Sequence, residues 1–293
     1  MARVRSSAIH IGALNLVLQP HSPQMYITML QKMARFKYEA QVHGDNAVLL
    51  GSCRYLDPKN PIKGVRGDIY KFLKLDATDA WFNTENMDEA TEDEVAEINI
   101  PDNLKPHFKK FQYVFFPKGH RFYFVSSKTR QSLSPGLVKR FFETVFSRDA
   151  FAKFGSLKVT VQPDPNGLEE LFSLKRISIL KMEIDRPNPD DLEDVEAEIL
   201  ERLNRVNART EKIEFMEASS EGLRPDPYVK ALASVANDNG FVYVEGKSDD
   251  GLKKYLSTKD MPLHETAKYN PNLTSEFDAF YDKVVEIHRE ITR

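Results

Sequence analysis

The chain has 293 residues, 41% of them hydrophobic and 29% charged, with a formal net charge of −3. That balance excludes a disordered, collagenous or membrane-embedded chain and predicts a globular protein with room for two domains. Cys53 is the only cysteine, so no intramolecular disulfide can form, and Met1 to His10 lack the apolar core of a secretory signal, so a cytoplasmic location without membrane association is expected.

The first apolar run, Ser7 to Leu18, reads as a strand ending at Gln19-Pro20. Ser22-Pro23 then supplies an N-cap and a first-turn proline for a helix in which Tyr26, Ile27, Leu30, Met33 and Ala34 recur at helical spacing. Two strands follow, Asn46 to Tyr55 and Val65 to Leu73, separated by the turn-rich Asp57-Pro58-Lys59-Asn60-Pro61. Between Leu75 and Thr160 the chain changes electrical sign. Residues 75–102 hold ten carboxylates and no Lys or Arg, whereas residues 103–160 hold twelve Lys or Arg against Glu143 and Asp149. The acidic part, 76–102, has weak periodicity and reads as a solvated connection with a short helix near Glu92 to Ile98.

The basic part is more regular. Tyr113 to Phe116 and Arg121 to Ser126, joined by Pro117-Lys118-Gly119-His120, have the pattern of a β-hairpin, with Phe122 and Phe124 on one face and Tyr123 and Val125 on the other. A polar loop, Ser127 to Ser132, leads to Ser134-Pro135 and a helix whose Val138, Phe141, Phe142 and Val145 form an apolar stripe, which leaves Lys139, Arg140 and Glu143 outward. This unit, 111–147, is a basic hairpin, loop and helix.

A new alternation of strands and helices begins near Phe154-Gly155-Ser156. Leu157 to Val161, Ile177 to Ile184, Lys212 to Met216 and Phe241 to Glu245 read as strands. Leu192, Val195, Ile199, Leu203 and Val206 line one side of a helix that opens at Asn188-Pro189-Asp190-Asp191. A second helix, Pro227 to Asn237, turns Tyr228, Leu232 and Val235 inward and stops before Asn239-Gly240, a left-handed cap. Phe241 to Glu245 and Lys254 to Ser257 pair as a hairpin, and Thr274 to Ile291 is an amphipathic helix carrying Phe277, Phe280, Val284, Ile287 and Ile291. The expected fold class is α+β: two α/β-sandwich domains, 1–154 and 155–293, with mostly antiparallel or mixed sheets covered by helices.

A dense basic segment is the electrostatic footprint of a polyanion partner. The loop Ser126 to Ser132 joins a strand to a helix start and offers hydroxyls, Lys128, Arg130 and backbone N–H groups to a phosphate, although a solvated turn has the same composition. Lys109, Lys110, Lys118, Arg121, Lys128, Arg130, Lys139 and Arg140 are therefore the candidate nucleic-acid-binding residues. A metal-dependent nuclease is the alternative. Pro225-Asp226 followed by Glu245-Gly246-Lys247 matches the order in which two carboxylates hold Mg or Mn while a lysine assists the attacking water, but Pro-Asp heads a helix here. The seven histidines show no metal-binding spacing, and Cys53 reads as a small buried hydrophobe, so no metal or other cofactor is assigned outside that alternative.

Val65-Arg66-Gly67-Asp68-Ile69-Tyr70, His120-Arg121, Ile184-Asp185-Arg186-Pro187-Asn188-Pro189-Asp190-Asp191, Ala236-Asn237-Asp238-Asn239-Gly240 and Ser257-Thr258-Lys259 together resemble an uncharacterised bacterial and prophage family, the domain of unknown function numbered 4747. The resemblance covers nearly the whole chain and carries no catalytic residues to transfer. More loosely, the order of hairpin, polar loop, helix and late hairpin is similar to phage-exclusion and defence proteins of the lambda RexA and Kiwa KwaB kind, which implies DNA binding and immunity. The expectation is a non-enzymatic nucleic-acid-binding protein of antiphage defence, with DNA favoured over RNA. A third reading is an oligomeric interaction protein, such as a homodimer, whose acidic and basic segments pair between subunits and whose C-terminal helix, with Phe277 and Phe280 exposed, is the candidate interface; an operon-encoded protein is a further candidate partner.

Overall fold

The computed structural model describes residues 6–75, 80–98, 100–187 and 194–292. The expected helix opening at Asn188-Pro189-Asp190-Asp191, with Leu192, and residues 76–79 of the acidic connection lie outside them.

β1 (Ser7–Gln19) is apolar almost throughout instead of alternating, the pattern of a strand covered on both faces. It is followed by α1 (Pro23–Arg35), β2 (Glu39–His43), β3 (Asn46–Leu50), β4 (Arg54–Tyr55) and β5 (Val65–Leu73). The expected strand Asn46 to Tyr55 is interrupted at residues 51–53. There the chain packs so tightly over Gly67 that a Cβ at that position would lie 1.9 Å from the Ser52 carbonyl oxygen. In the acidic region a small hairpin, β6 (Phe82–Asn83) with β7 (Asp88–Glu89), precedes α2 (Glu92–Ala96), whose Thr91 and Glu94 cap one another. The basic region forms β8 (Lys109–Phe116), β9 (Arg121–Lys128), β10 (Gln131–Ser132) and α3 (Pro135–Phe146), and β11 (Ser156–Val161) comes next. Apart from β6 and β7, these strands join one antiparallel sheet ordered β11-β1-β9-β8-β5-β3-β2, with β4 beside β5 and β10 beside β9.

A second antiparallel sheet follows. α4 (Gly167–Phe172), β12 (Arg176–Asp185), α5 (Asp194–Arg205), β13 (Thr210–Met216), α6 (Pro227–Asn239), β14 (Gly240–Lys247) and β15 (Lys253–Ser257) give the strand order β13-β12-β14-β15. Ile199 and Leu203 of α5 and Leu232, Ala233 and Ala236 of α6 pack on Leu180, Met182, Ile184, Val242 and Val244, closing one face of this sheet. α6 runs straight into β14, so Gly240 is not a left-handed cap. Its φ of 179° is extended, and glycine is required because a Cβ would lie 1.9 Å from the Glu183 carbonyl oxygen. Tyr228, expected inward, is exposed and donates to Glu198 Oε2 at 3.2 Å.

The chain then returns to the first sheet. β16 (Glu265–Tyr269) pairs with Ser7 to Ile11 of β1, on the edge whose other half, Leu14 to Gln19, pairs with β11. α7 (Glu276–Ile291) buries Phe280, Val284 and Ile287 in the first core. Phe280 is thus packed inside its own chain and not exposed for a partner, and Phe277 is half-buried beneath the Arg66 guanidinium, 4.6 Å from the ring centroid. Successive strand residues face opposite ways: Phe122 meets Phe142 of α3, and Tyr123 meets His288 of α7. The large sheet is therefore helix-covered on both faces, and it curls as a half-barrel. The fold is α+β with two cores, and the first core takes segments from both sides of Gly155. Among the described residues no helix is long and apolar enough to cross a membrane.

Candidate nucleic-acid interface

The basic hairpin and helix form as the sequence suggests, but the expected loop Ser127 to Ser132 is instead a second tight hairpin of β9 with β10, and the cations do not share one surface. Lys109 and Lys110 are adjacent on β8 and point to opposite faces. Lys110 lies 3.2 Å from Asp68 Oδ1, while Lys109 sits opposite Lys71, whose ammonium pKa is lowered by burial and by that neighbouring charge. At the other end of the hairpin Lys118 is exposed but Arg121 is buried, its Nη1 donating to the Gly119 carbonyl at 2.8 Å and its Nη2 3.6 Å from Asp238 Oδ2. Lys128 donates to Glu276 at the start of α7 at 2.7 Å. Lys139 lies 3.9 Å from Glu143, and Arg140 donates to the Val42 carbonyl at 2.9 Å. Arg130, exposed with φ of +59° in the β9–β10 turn, makes no ion pair among the described residues. Lys110, Arg121, Lys128, Lys139 and Arg140 are committed to partners in the chain, and Lys118 also interacts within it.

The face of the second sheet opposite α5 and α6 is different. Val242, Val244 and Gly246 of β14 point to the core, so Phe241, Tyr243, Glu245 and Lys247 line the open side. Antiparallel register sets Lys247 directly between Arg176 of β12 and Lys253 of β15, a row of three cations across three strands. The irregularity between Ile177 and Ile179 keeps this register while Ser178 bulges out. Like charges directly opposite one another destabilise a sheet; Glu245 borders the row, and a second carboxylate, Glu217, meets it at Arg176. It takes two hydrogen bonds from Arg176, one of them Nε to Oε2 at 2.7 Å, and these hold its carboxyl below the usual carboxylate range. Arg176, Ser178, Glu217, Glu245, Lys247 and Tyr255 belong to a depression of about 270 Å³ that Lys253 and Lys254 also flank.

Tyr255, opposite Glu245 on the edge strand, is 61% exposed. Tyr243 donates to Glu245 Oε1 at 3.0 Å, and burial followed by this carboxylate raises its phenol pKa. The Lys259 ammonium stands 3.4 Å from the centroid of the Phe241 ring. The β12–β13 half of the same face is neutral by contrast, because Lys181 pairs with Glu214 and Lys212 with Glu183, each at 3.1 Å.

The nuclease trio is divided by the sheet. Glu245 and Lys247 line the open depression, but Asp226 caps α6 on the helix-covered side, where its Oδ1 accepts the Val229 N–H at 2.8 Å. Among the described residues no group of three or more His, Cys, Asp or Glu is placed to hold a metal ion. Burial pushes the Cys53 thiol up to about 11, which disfavours the thiolate. The sequence argument missed Arg176, Lys253, Lys254, Tyr255 and Glu217. The hairpin pairing of Lys247 with Lys253 was the readable signal, because the intervening turn sets both strands.

The family described as Domain of unknown function (DUF4747) matches residues 7–285, and the chain belongs to it. No curated protein matches the chain.

Proposed function

We propose that this protein binds nucleic acid without cleaving it, gathering phosphates on the open face of the second sheet. The observation that carries the reading is the row Arg176, Lys247 and Lys253, three cations held side by side by strand register, with Lys254 flanking them and two carboxylates, Glu217 and Glu245, at the same depression. An isolated ammonium on an edge strand has a simpler role in preventing sheet-to-sheet pairing. A row spanning a central and an edge strand exceeds that need, and an anion with several oxygens relieves its repulsion. Arg130 and Lys109 of the first sheet are further cations without a carboxylate partner among the described residues, and they extend the proposal to the originally expected basic segment.

Fluorescence anisotropy with labelled oligonucleotides tests this. Three or four phosphate contacts give an affinity that falls with salt at a logarithmic slope of about −2 to −4. The double variant Lys247→Glu, Lys253→Glu abolishes binding at low salt while leaving the unfolding transition in place. Equal affinity in that variant removes the proposal. Plasmid and RNA incubated with magnesium or manganese stay intact on this reading. Service in antiphage defence is part of the proposal and is supported by the loose resemblance to phage-exclusion proteins. The efficiency of plating of a phage panel, compared between cells expressing the wild type and the double variant, tests that part.

A further inference from the structure

We infer that the occupant of this face is single-stranded nucleic acid, with unpaired bases stacked on Tyr255, Tyr243 and Phe241 while its phosphates run to Lys247, Lys253 and Arg176. The inference rests on the phosphate-binding reading and adds the strandedness of the ligand.

Three features support it. First, the rings and the surplus positive charge fall in the same half of the face. The β12–β13 half has its charges paired off, Arg176 with Glu217 included, and, among the described residues of β12 and β13, carries no ring on the open side, whereas the β14–β15 half holds three rings and the two lysines of the row, Lys247 and Lys253. Second, side chains on one face of a strand repeat every two residues, about 6.6–6.8 Å. Phe241, Tyr243, Glu245 and Lys247 therefore form a line that passes from rings to cations, with Tyr255 beside it. Third, the rings are held, not free to collapse inward. The Tyr243 hydroxyl is anchored on Glu245 at 3.0 Å, and the Lys259 ammonium lies over Phe241 at 3.4 Å. Tyr255 is 61% exposed although it stands on a strand with a core side available to Leu256.

Strandedness follows from what an aromatic face rewards. In a duplex each base is stacked on its neighbours, so an exposed ring gains nothing beyond the phosphate contacts. An unpaired base presents its own π-face, and stacking on a side chain then adds affinity with little dependence on sequence. A surface made only for duplex phosphates needs the cation row and not the rings.

The experiment compares four labelled probes of equal length on the full chain: oligo(dT), oligo(U), an abasic strand with the same number of phosphates, and a DNA duplex. Expected is tighter binding of oligo(dT) or oligo(U) than of the abasic strand and the duplex. Tyr255→Ala weakens binding of the base-bearing strand by about fivefold or more and leaves the abasic strand unchanged, while Tyr255→Phe retains wild-type affinity. Tyr255 is on the surface, so an unchanged unfolding midpoint confirms that the variants are folded. Equal binding of all four probes, or a Tyr255→Ala variant that binds oligo(dT) and oligo(U) as the wild type does, overturns the inference and leaves phosphate binding standing. Failure of all four probes to bind overturns both.

Discussion

In the first sheet, cations that are neighbours in sequence are separated in space; in the second, cations far apart in sequence are brought together. Lys109 and Lys110 point to opposite faces of β8, and four cations of the basic segment, Lys110, Arg121, Lys128 and Lys139, are turned to Asp68, Asp238, Glu276 and Glu143. Arg176, Lys247 and Lys253 come from three strands and meet in one row. The strand period of two disperses a run of like charges, and antiparallel register concentrates isolated ones. Linear charge density is thus a poor guide to the charge density of the folded surface.

The contrast is strongest if the cations of the first sheet support stability and those of the second support binding. Arg121→Ala tests the first half with the largest expected effect. The guanidinium is buried against Asp238, and its removal costs about 2–3 kcal/mol in urea unfolding, against about 0.5 kcal/mol or less for Lys247→Ala. The reverse order breaks the comparison. His288 reports the same inward field. Burial, then Arg121 and Lys118, push its imidazole down from 6.5 to about 4, so folding favours the neutral ring. This contribution is fully present above pH 6.5 and is lost as pH falls to about 4, where on the order of 2–3 kcal/mol has gone. His288→Asn flattens that part of the stability profile measured by urea titrations across the window.

Smaller effects sharpen the second half. Lys247→Ala and Lys253→Ala each weaken oligonucleotide binding by about tenfold at low salt and reduce the steepness of the salt dependence by about 0.7–0.9. The smallest effect is at Lys139, whose exposed pair with Glu143 is worth about 0.3–0.5 kcal/mol. Lys139→Ala leaves oligonucleotide affinity at the wild-type value, and a drop there returns weight to the basic helix.

Where structure depends on neighbours along the chain, the sequence was legible. The stripe Val138, Phe141, Phe142 and Val145 is buried as its spacing requires, the Tyr113 to Ser126 hairpin forms, and the late hairpin pairs Glu245 with Tyr255. What could not be read is pairing across long separations. Ser7 meets Tyr269 and Leu14 meets Val161, and nothing local in β11 or β16 names β1 as the partner. The site suffers from the same limit. Lys247 and Lys253 are joined by one turn, but Arg176 reaches them only through the irregular register between β12 and β14. Tyr228 illustrates a different failure, since helical spacing gave it an inward place that its hydrogen bond to Glu198 on the surface overrides.

β11 and β16 share one edge of β1, and Pro163 and Pro262 face each other in an antiparallel bridge just beyond them. Everything from one proline to the other leaves and re-enters the first sheet through a gap of about one strand spacing, roughly 5 Å. The second sheet is thereby a cassette on a two-stranded stem, and Asp238 of α6 and Asp185 of β12 also reach back to the first sheet. A short turn in its place would rejoin the first sheet's edge but would leave the buried Arg121 guanidinium without Asp238 and Lys158 without Asp185, so the cassette is fastened to its host by charge as well as by its stem.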